Sequence, residues 1–138
     1  MNSATYISGA TGFAGLKLAE HLAGQGRNLL LSARDEDRLK EISETLSLQY
    51  PNQEFRFFSC DLAAPETWEG VASKFKDFRV SQYLNCSAIQ GSPGPSLELS
   101  HEEITRVFNV NLFSSIFFTN YFCKDLKNGE KLAIIHFS

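Results

Sequence analysis

The chain has 138 residues, 43% hydrophobic and 21% charged, a balance that fits one globular domain and excludes a disordered or fibrous segment. A formal net charge of −3 gives no electrostatic basis for nucleic acid as the main partner, and no apolar run approaches the roughly 20 residues that span a bilayer. Met1-Asn2-Ser3-Ala4-Thr5 carries no basic region, so no signal peptide and no membrane partner are expected.

Ala4 to Ser8 reads as a first strand, followed by a glycine-rich turn from Gly9 to Gly15. Gly15, Leu18, Ala19 and Leu22 then recur at the spacing of one helix face, and Gly24 and Gly26 stop that helix. Asn28 to Ala33, with Leu29-Leu30-Leu31, is a continuous apolar strand of the kind covered on both faces. Asp35 to about Tyr50 is a second helix with Leu39, Ile42 and Leu46 on one face, Asp35 as its cap, and Pro51-Asn52 as its breaker. Glu54 to Cys60 is a third strand. Pro65 suits a first helical position, and Trp68, Val71, Ala72 and Phe75 repeat the helical spacing. Val80 to Cys86 is a fourth strand, and Gly91 to Pro95 a surface loop. Ser100-x-x-Glu103 is a capping box that starts a long helix running to about Lys127 with a bend near Asn109. Asn128-Gly129 ends it, and Lys131 to Phe137 is a fifth strand.

Strands alternate with helices throughout, which implies a parallel sheet with right-handed crossovers and helices on both faces. Cys60, Cys86 and Cys123 are odd in number and far apart, with no C-x-x-C or His-rich spacing. Neither a disulfide framework nor a zinc site is indicated, and reduced thiols in a cytoplasmic protein are expected.

The segment Ser8-Gly9-Ala10-Thr11-Gly12-Phe13-Ala14-Gly15 sits between the first strand and the first helix. A helix N-terminus there offers unpaired N–H groups and the positive end of a dipole to a pyrophosphate. Gly9 permits the tight turn, Gly12 lets the backbone approach phosphates, and Gly15 allows close helix–strand packing. The same spacing also suits an ordinary strand-to-helix turn. The loop resembles the T-G-A-T-G-F-x-G loop of short-chain dehydrogenases/reductases, with Ser8 where Thr is usual, and the resemblance extends along the whole chain. It implies a Rossmann-type, doubly wound α/β domain over 1–138 with five parallel strands in the order 3-2-1-4-5. The pattern breaks off after the fifth strand, so the domain is expected to lack a C-terminal catalytic and substrate-binding part.

Ala33 stands where an acidic residue for a ribose 2′-hydroxyl is expected, roughly 20 residues after the loop, and Arg34 follows. A guanidinium there pairs with a 2′-phosphate, and Arg38 lies one turn on, so NADP(H) is preferred over NAD(H). The resemblance implies further cofactor contacts. Asp61-Leu62 corresponds to the family's adenine contacts, although Asp61 also suits a helix cap. Asn85-Cys86-Ser87-Ala88 resembles the family's N-N-A-G segment, with Cys86, Ser87 and Ala88 departing from it.

Ile104, Val107, Phe108 and Asn111 share one helix face, which places Asn111 among buried apolar residues. Val110-Asn111-Leu112 resembles the family's x-N-L segment, whose Asn supports a Ser-Tyr-Lys catalytic set; a satisfied structural amide is the other reading. Past Asn111 the helix is apolar nearly all round, which suggests homo-oligomerisation through 109–127 or cover by further helices. Ile134 to Ser138 resembles the family strand that leads to two adjacent Ser, of which the second is catalytic; Ser138 corresponds to the first and is a candidate. His136 stands where Asn is common, and a strand His is structural more often than catalytic.

The residues four after Tyr6, Tyr50, Tyr83 and Tyr121 are Ala10, Glu54, Ser87 and Asp125, so the family's Tyr-x-x-x-Lys acid/base pair falls beyond Ser138. The expected activity is hydride transfer between a nicotinamide and a small carbonyl or alcohol substrate, with the 138-residue chain alone inactive. The alternatives are a non-catalytic NADP(H)-binding or interaction module, and a half-length product destabilised by its exposed sheet edge.

Overall fold

The computed structural model describes residues 2–137, so Ser138 lies outside the described residues. Five parallel strands form one sheet in the order β3-β2-β1-β4-β5: β1 Asn2–Ser8, β2 Asn28–Ala33, β3 Phe55–Ser59, β4 Phe78–Asn85 and β5 Ala133–His136. The helices α1 Phe13–Gly24, α2 Glu36–Gln49, α3 Trp68–Ser73, α4 His101–Phe108 and α5 Ser114–Cys123 connect them. This is the parallel sheet that the alternating pattern implied, in the Rossmann-type order that the family resemblance implied.

The two sheet faces carry separate cores. Ile7, Leu29, Leu31 and Leu84 point to one, where the buried stripes of α1 (Ala19, Leu22, Ala23) and α2 (Leu39, Ile42, Leu46) meet them. Tyr6, Leu30, Tyr83 and Val80 point to the other, under Trp68, Phe75 and Phe118. Tyr6 is the hub of that second core, stacked on Tyr83 at 5.2 Å and tilted against Phe75 and Phe118 at 5.0 and 5.3 Å. Period-two alternation in the strands, combined with an apolar residue at nearly every β2 position, is what lets one sheet feed both.

Several boundaries differ from the sequence reading. β1 starts at Asn2 and β4 at Phe78, because a bulge shifts the register so that Ala4 faces Val80 while Thr5 faces Gln82, and the strands pair on both sides of it. α1 starts at Phe13 rather than Gly15, since Leu16 N–H already reaches the Gly12 carbonyl at 2.9 Å. The last helix stops at Cys123, short of Lys127: Leu126 N–H turns back to the Cys123 carbonyl, and Glu130 accepts from Lys127 N–H across a turn that closes at Gly129, φ +86°.

The bend near Asn109 is a π-helical turn, Asn109–Phe113, between α4 and α5. The predicted packing face is overturned: Ile104 and Phe108 on α4 and Asn111 within the turn are exposed, while Asn109 and Val110 are buried. Ile104 and Phe108 precede the turn and already face outward, so the turn shifts the helical phase only of the residues from Asn109 on.

Candidate functional site

Because the strands are parallel, their carboxyl ends open on one edge, and β1 and β4 diverge there toward helices on opposite faces. A cleft of about 570 Å³ lies at that edge. Its walls come from the β1–α1 turn (Gly9, Thr11, Gly12), the end of β2 (Ser32 to Asp35), the loop after β3 (Cys60 to Ala63) and the loop after β4 (Cys86 to Ile89). Arg106 and Val110, one turn apart on α4 and the π turn, complete it.

The three loop glycines do different things. Gly9 has φ +74°, and a Cβ there would lie 2.8 Å from the Cys86 carbonyl carbon and oxygen, so it is needed both for its backbone and for the approach of two cleft walls. A Cβ on Gly15 would come within 2.1 Å of the Gly9 oxygen, so Gly15 lets α1 pack against its own turn. A Cβ on Gly12 would meet nothing closer than 3.4 Å. Packing therefore does not demand a glycine at this position, which faces the cleft.

Gly12 is also the N-cap of α1, and it makes that helix start unlike two others. α2 is capped by Asp35, whose Oδ1 accepts from Arg38 N–H at 3.0 Å, with Glu36 and Asp37 in its first turn. α4 is capped by Ser100, whose Oγ accepts from Glu103 N–H at 3.1 Å, with Glu102 and Glu103 behind it. α1 has neither a side-chain cap nor an acidic residue in its first turn. Its unpaired N–H groups and positive dipole end are left to whatever occupies the cleft.

Arg34 lines the cleft beside Ala33 and makes no ion pair with the other described residues. Arg38, the other candidate, is outside the cleft lining and is held by Glu41 at 2.7 Å. Phe13, 86% exposed, and Ala14 also lie outside the lining. Asp61 lines the cleft while its Oδ1 accepts from Ala63 N–H at 3.0 Å, and Leu62 is buried beside it.

Asn85 does not line the cleft; it is buried beneath the loop that does. Its Oδ1 accepts from Ser8 Oγ–H at 2.9 Å and from Ser87 N–H at 3.2 Å, tying β1 to the Cys86–Ser87 turn. Burial pushes the Cys86 thiol up to about 11, so it faces the cleft as a neutral group. Asn111 accepts from Ile89 N–H at 2.8 Å and donates to the Ile89 carbonyl at 2.7 Å. This exposed amide thus fastens the loop after β4 to the π turn. Glu103, expected to close the capping box, instead accepts from Ser92 N–H on the same loop.

Arg106 and Val110 escaped the sequence reading. Their i, i+4 spacing was visible, but the competing stripe Ile104-Phe108 drew the helix face elsewhere. Among the described residues no group of three His, Cys, Asp or Glu side chains is placed to hold a metal ion, and no helix is long and apolar enough to cross a membrane.

The family model for short chain dehydrogenases matches residues 3–138. A diacetyl reductase, (S)-acetoin forming, from Staphylococcus epidermidis is 28% identical over 145 residues, covering 94% of this chain and 52% of that protein. A very-long-chain 3-oxoacyl-CoA reductase from Meyerozyma guilliermondii is 28% identical over 107 residues, 76% of this chain and 31% of its own length. Of solved structures, a short-chain dehydrogenase from Sphingobium yanoikuyae in complex with NADPH superposes with a TM-score of 0.86 at 22% identity, over 99% of this chain and 53% of that one. An alcohol dehydrogenase from the archaeon Thermococcus sibiricus, complexed with 5-hydroxy-NADP, gives 0.80 at 27% identity over 96% of this chain and 57% of its own. The chain spans about half the length of the first of these relatives, at 52%.

Proposed function

The chain belongs to the short chain dehydrogenase family, and from that premise we propose that its cleft binds NADP(H), in preference to NAD(H), for hydride transfer to or from a small carbonyl or alcohol substrate. The observation that carries the reading is the α1 N-terminus: uncapped, with no acidic residue in its first turn, and opening into a cleft that also holds an unpaired guanidinium. That pairing of fixed positive ends suits a pyrophosphate at Thr11–Gly12 and a 2′-phosphate at Arg34. Asp61 and Leu62 form the adenine wall, and Cys86 and Ser87 lie on the side of the nicotinamide ribose. The bound nicotinamide supplies or takes the hydride. The protein's part is to hold it and exclude water.

The reading assigns residues 1–138 to the cofactor-binding half of such an enzyme, with the Tyr-x-x-x-Lys pair supplied beyond Ser138. Asn111 then acts by holding the loop after β4 in place, and Ser138, outside the described residues, stays a candidate on its sequence resemblance alone. The names of the two relatives above both denote carbonyl reduction, which supports that substrate class. The exposed stripe Leu112, Phe113 and Ile116 is proposed as a contact with a second copy.

Titration of the chain with NADPH and NADH, followed by nucleotide fluorescence, tests the reading. NADPH should bind more tightly than NADH, Arg34→Ala should remove the difference by weakening NADPH about 10- to 100-fold, and Gly12→Val should abolish both. Equal loss of both nucleotides in Arg34→Ala would refute the 2′-phosphate role, and binding retained in Gly12→Val would refute the loop. A protein that binds NADPH but never oxidises it with small carbonyls, even with the residues after 138 attached, would be the binding module instead.

A further inference from the structure

A row of polar side chains crosses the sheet at the base of the cleft, with Ser32 at its edge lining the cleft itself. Ser32 on β2, Ser8 on β1, Asn85 on β4 and His136 on β5 are successive cross-strand partners at the carboxyl ends of their strands. Ser8 and Ser32 are fully buried, and Ser32 is also bonded to the Tyr6 hydroxyl at 2.8 Å. The direction of each hydrogen bond near Asn85 follows from one fixed donor. The Ser87 backbone N–H can only donate, and it lies 3.2 Å from Asn85 Oδ1. That end of the amide is therefore the oxygen, which also takes the Ser8 hydroxyl at 2.9 Å. The NH2 end faces His136, with Nδ2 to Nδ1 at 3.2 Å. An amide NH2 only donates, so His136 Nδ1 must be bare and the ring proton must sit on Nε2.

We propose that His136 is a positioning residue: its bare Nδ1 fixes the Asn85 amide, and Asn85 in turn holds the Ser87 N–H and the Cys86–Ile89 floor of the cleft. The consequence for binding rests on the NADP(H) reading above; the hydrogen-bond chain does not. A second ring proton on Nδ1 would set donor against donor. Asn85 would then have to turn its NH2 toward Ser87 N–H, or let go of β5. The other titratable group seen against the imidazole is Tyr83, edge-on at 6.0 Å, whose phenol burial keeps uncharged. No described acidic or basic side chain forms an ion pair with His136.

Long-range proton–nitrogen NMR of the chain decides the first half without any ligand. His136 should show the Nε2–H tautomer. His136→Asn places a side-chain oxygen near the Nδ1 position and should keep the Ser87 resonance; His136→Phe removes the acceptor and should shift it. For NADPH, affinity should be kept in His136→Asn and fall about fivefold in His136→Phe, as loss of one hydrogen bond implies. An Nδ1–H tautomer at neutral pH, or a Ser87 resonance indifferent to both substitutions, would overturn the proposal. Failure of the unchanged protein to bind NADPH would overturn the cofactor reading alone, and the tautomer and the Ser87 resonance would still decide the role of His136.

Discussion

The β2 half and the β5 half of the sheet are built from equally apolar sequence, yet they end up differently. In β2, Leu29, Leu30 and Leu31 are at most 1% exposed, because α1 and α2 close one face and the aromatic core closes the other. In β5, Ile135 is 43% exposed, and on α4 and α5 Phe108 and Ile116 both reach 48%. The side chains that do pack there, Phe118 and Phe122, do so by reaching inward to Tyr6 and Tyr83. Apolar character states what a segment needs to bury. Whether it is buried depends on a partner element, and among the described residues the β2 half is covered on both faces while the β5 half keeps an exposed stripe.

The sharpest break of that comparison is a pair of truncations. Leu30→Ala should cost about 3–4 kcal/mol in chemical denaturation, while Ile116→Ala should stay within about 0.5 kcal/mol. A large cost for Ile116→Ala, growing with protein concentration, would mean that a second copy covers the stripe. Next, Gly15→Ala should lose about 2–3 kcal/mol because its Cβ meets the Gly9 backbone oxygen at 2.1 Å. Gly70→Ala, with nothing within 4 Å, should be neutral or slightly stabilising in the same melts. A smaller effect separates the helix starts. Asp35→Ala should cost about 1 kcal/mol by uncapping α2, whereas Gly12→Asp should leave the thermal midpoint unchanged or raised and abolish NADPH binding. If Gly12→Asp binds normally, the bare helix end has no ligand.

The smallest effect is alkaline. Burial pushes both Cys60 and Cys86 from 9.0 up to about 11. Their neutral form is favoured in the folded chain, so their contribution to stability is complete below about pH 9 and fades as pH rises toward about 11. Alkylation of Cys86 should be slow at pH 8, accelerate over that same window, and be blocked by NADPH. Fast labelling at neutral pH would show that the cleft floor is more open than its packing.

The alternating elements, the glycine turn and the caps at Asp35 and Ser100 were legible in the sequence because each depends on local chemistry or on a two- or 3.6-residue repeat, whereas the strand order came from the family resemblance. The face of α4 was not. Ile104 and Phe108 keep helical spacing but face outward ahead of the π turn, Asn111 lies within it, and the residues that pack, Asn109 and Val110, are out of phase with that stripe. The cleft was half legible. Gly12 and Arg34 could be placed by position along strand and turn, but Arg106 enters from an element remote in sequence. Arg38 was lost to a neighbour, Glu41, that competes for the same guanidinium at short range. Asn85 and His136 meet only through the register of β4 and β5, which periodicity alone does not give.

That register has an entropic side. Ser8 and Asn85 are 77 residues apart, yet they are direct partners. β1 is thus made first but acquires its second neighbour only after β2, β3 and α3 have been threaded. Closing so long a loop costs somewhat more chain entropy than closing the shorter β1–β2 connection. Gly9 and the Cys86 wall it presses against are brought together only by that crossover. A nucleotide gripping both walls would bind only chains that have completed it, and would stabilise the completed fold by mass action.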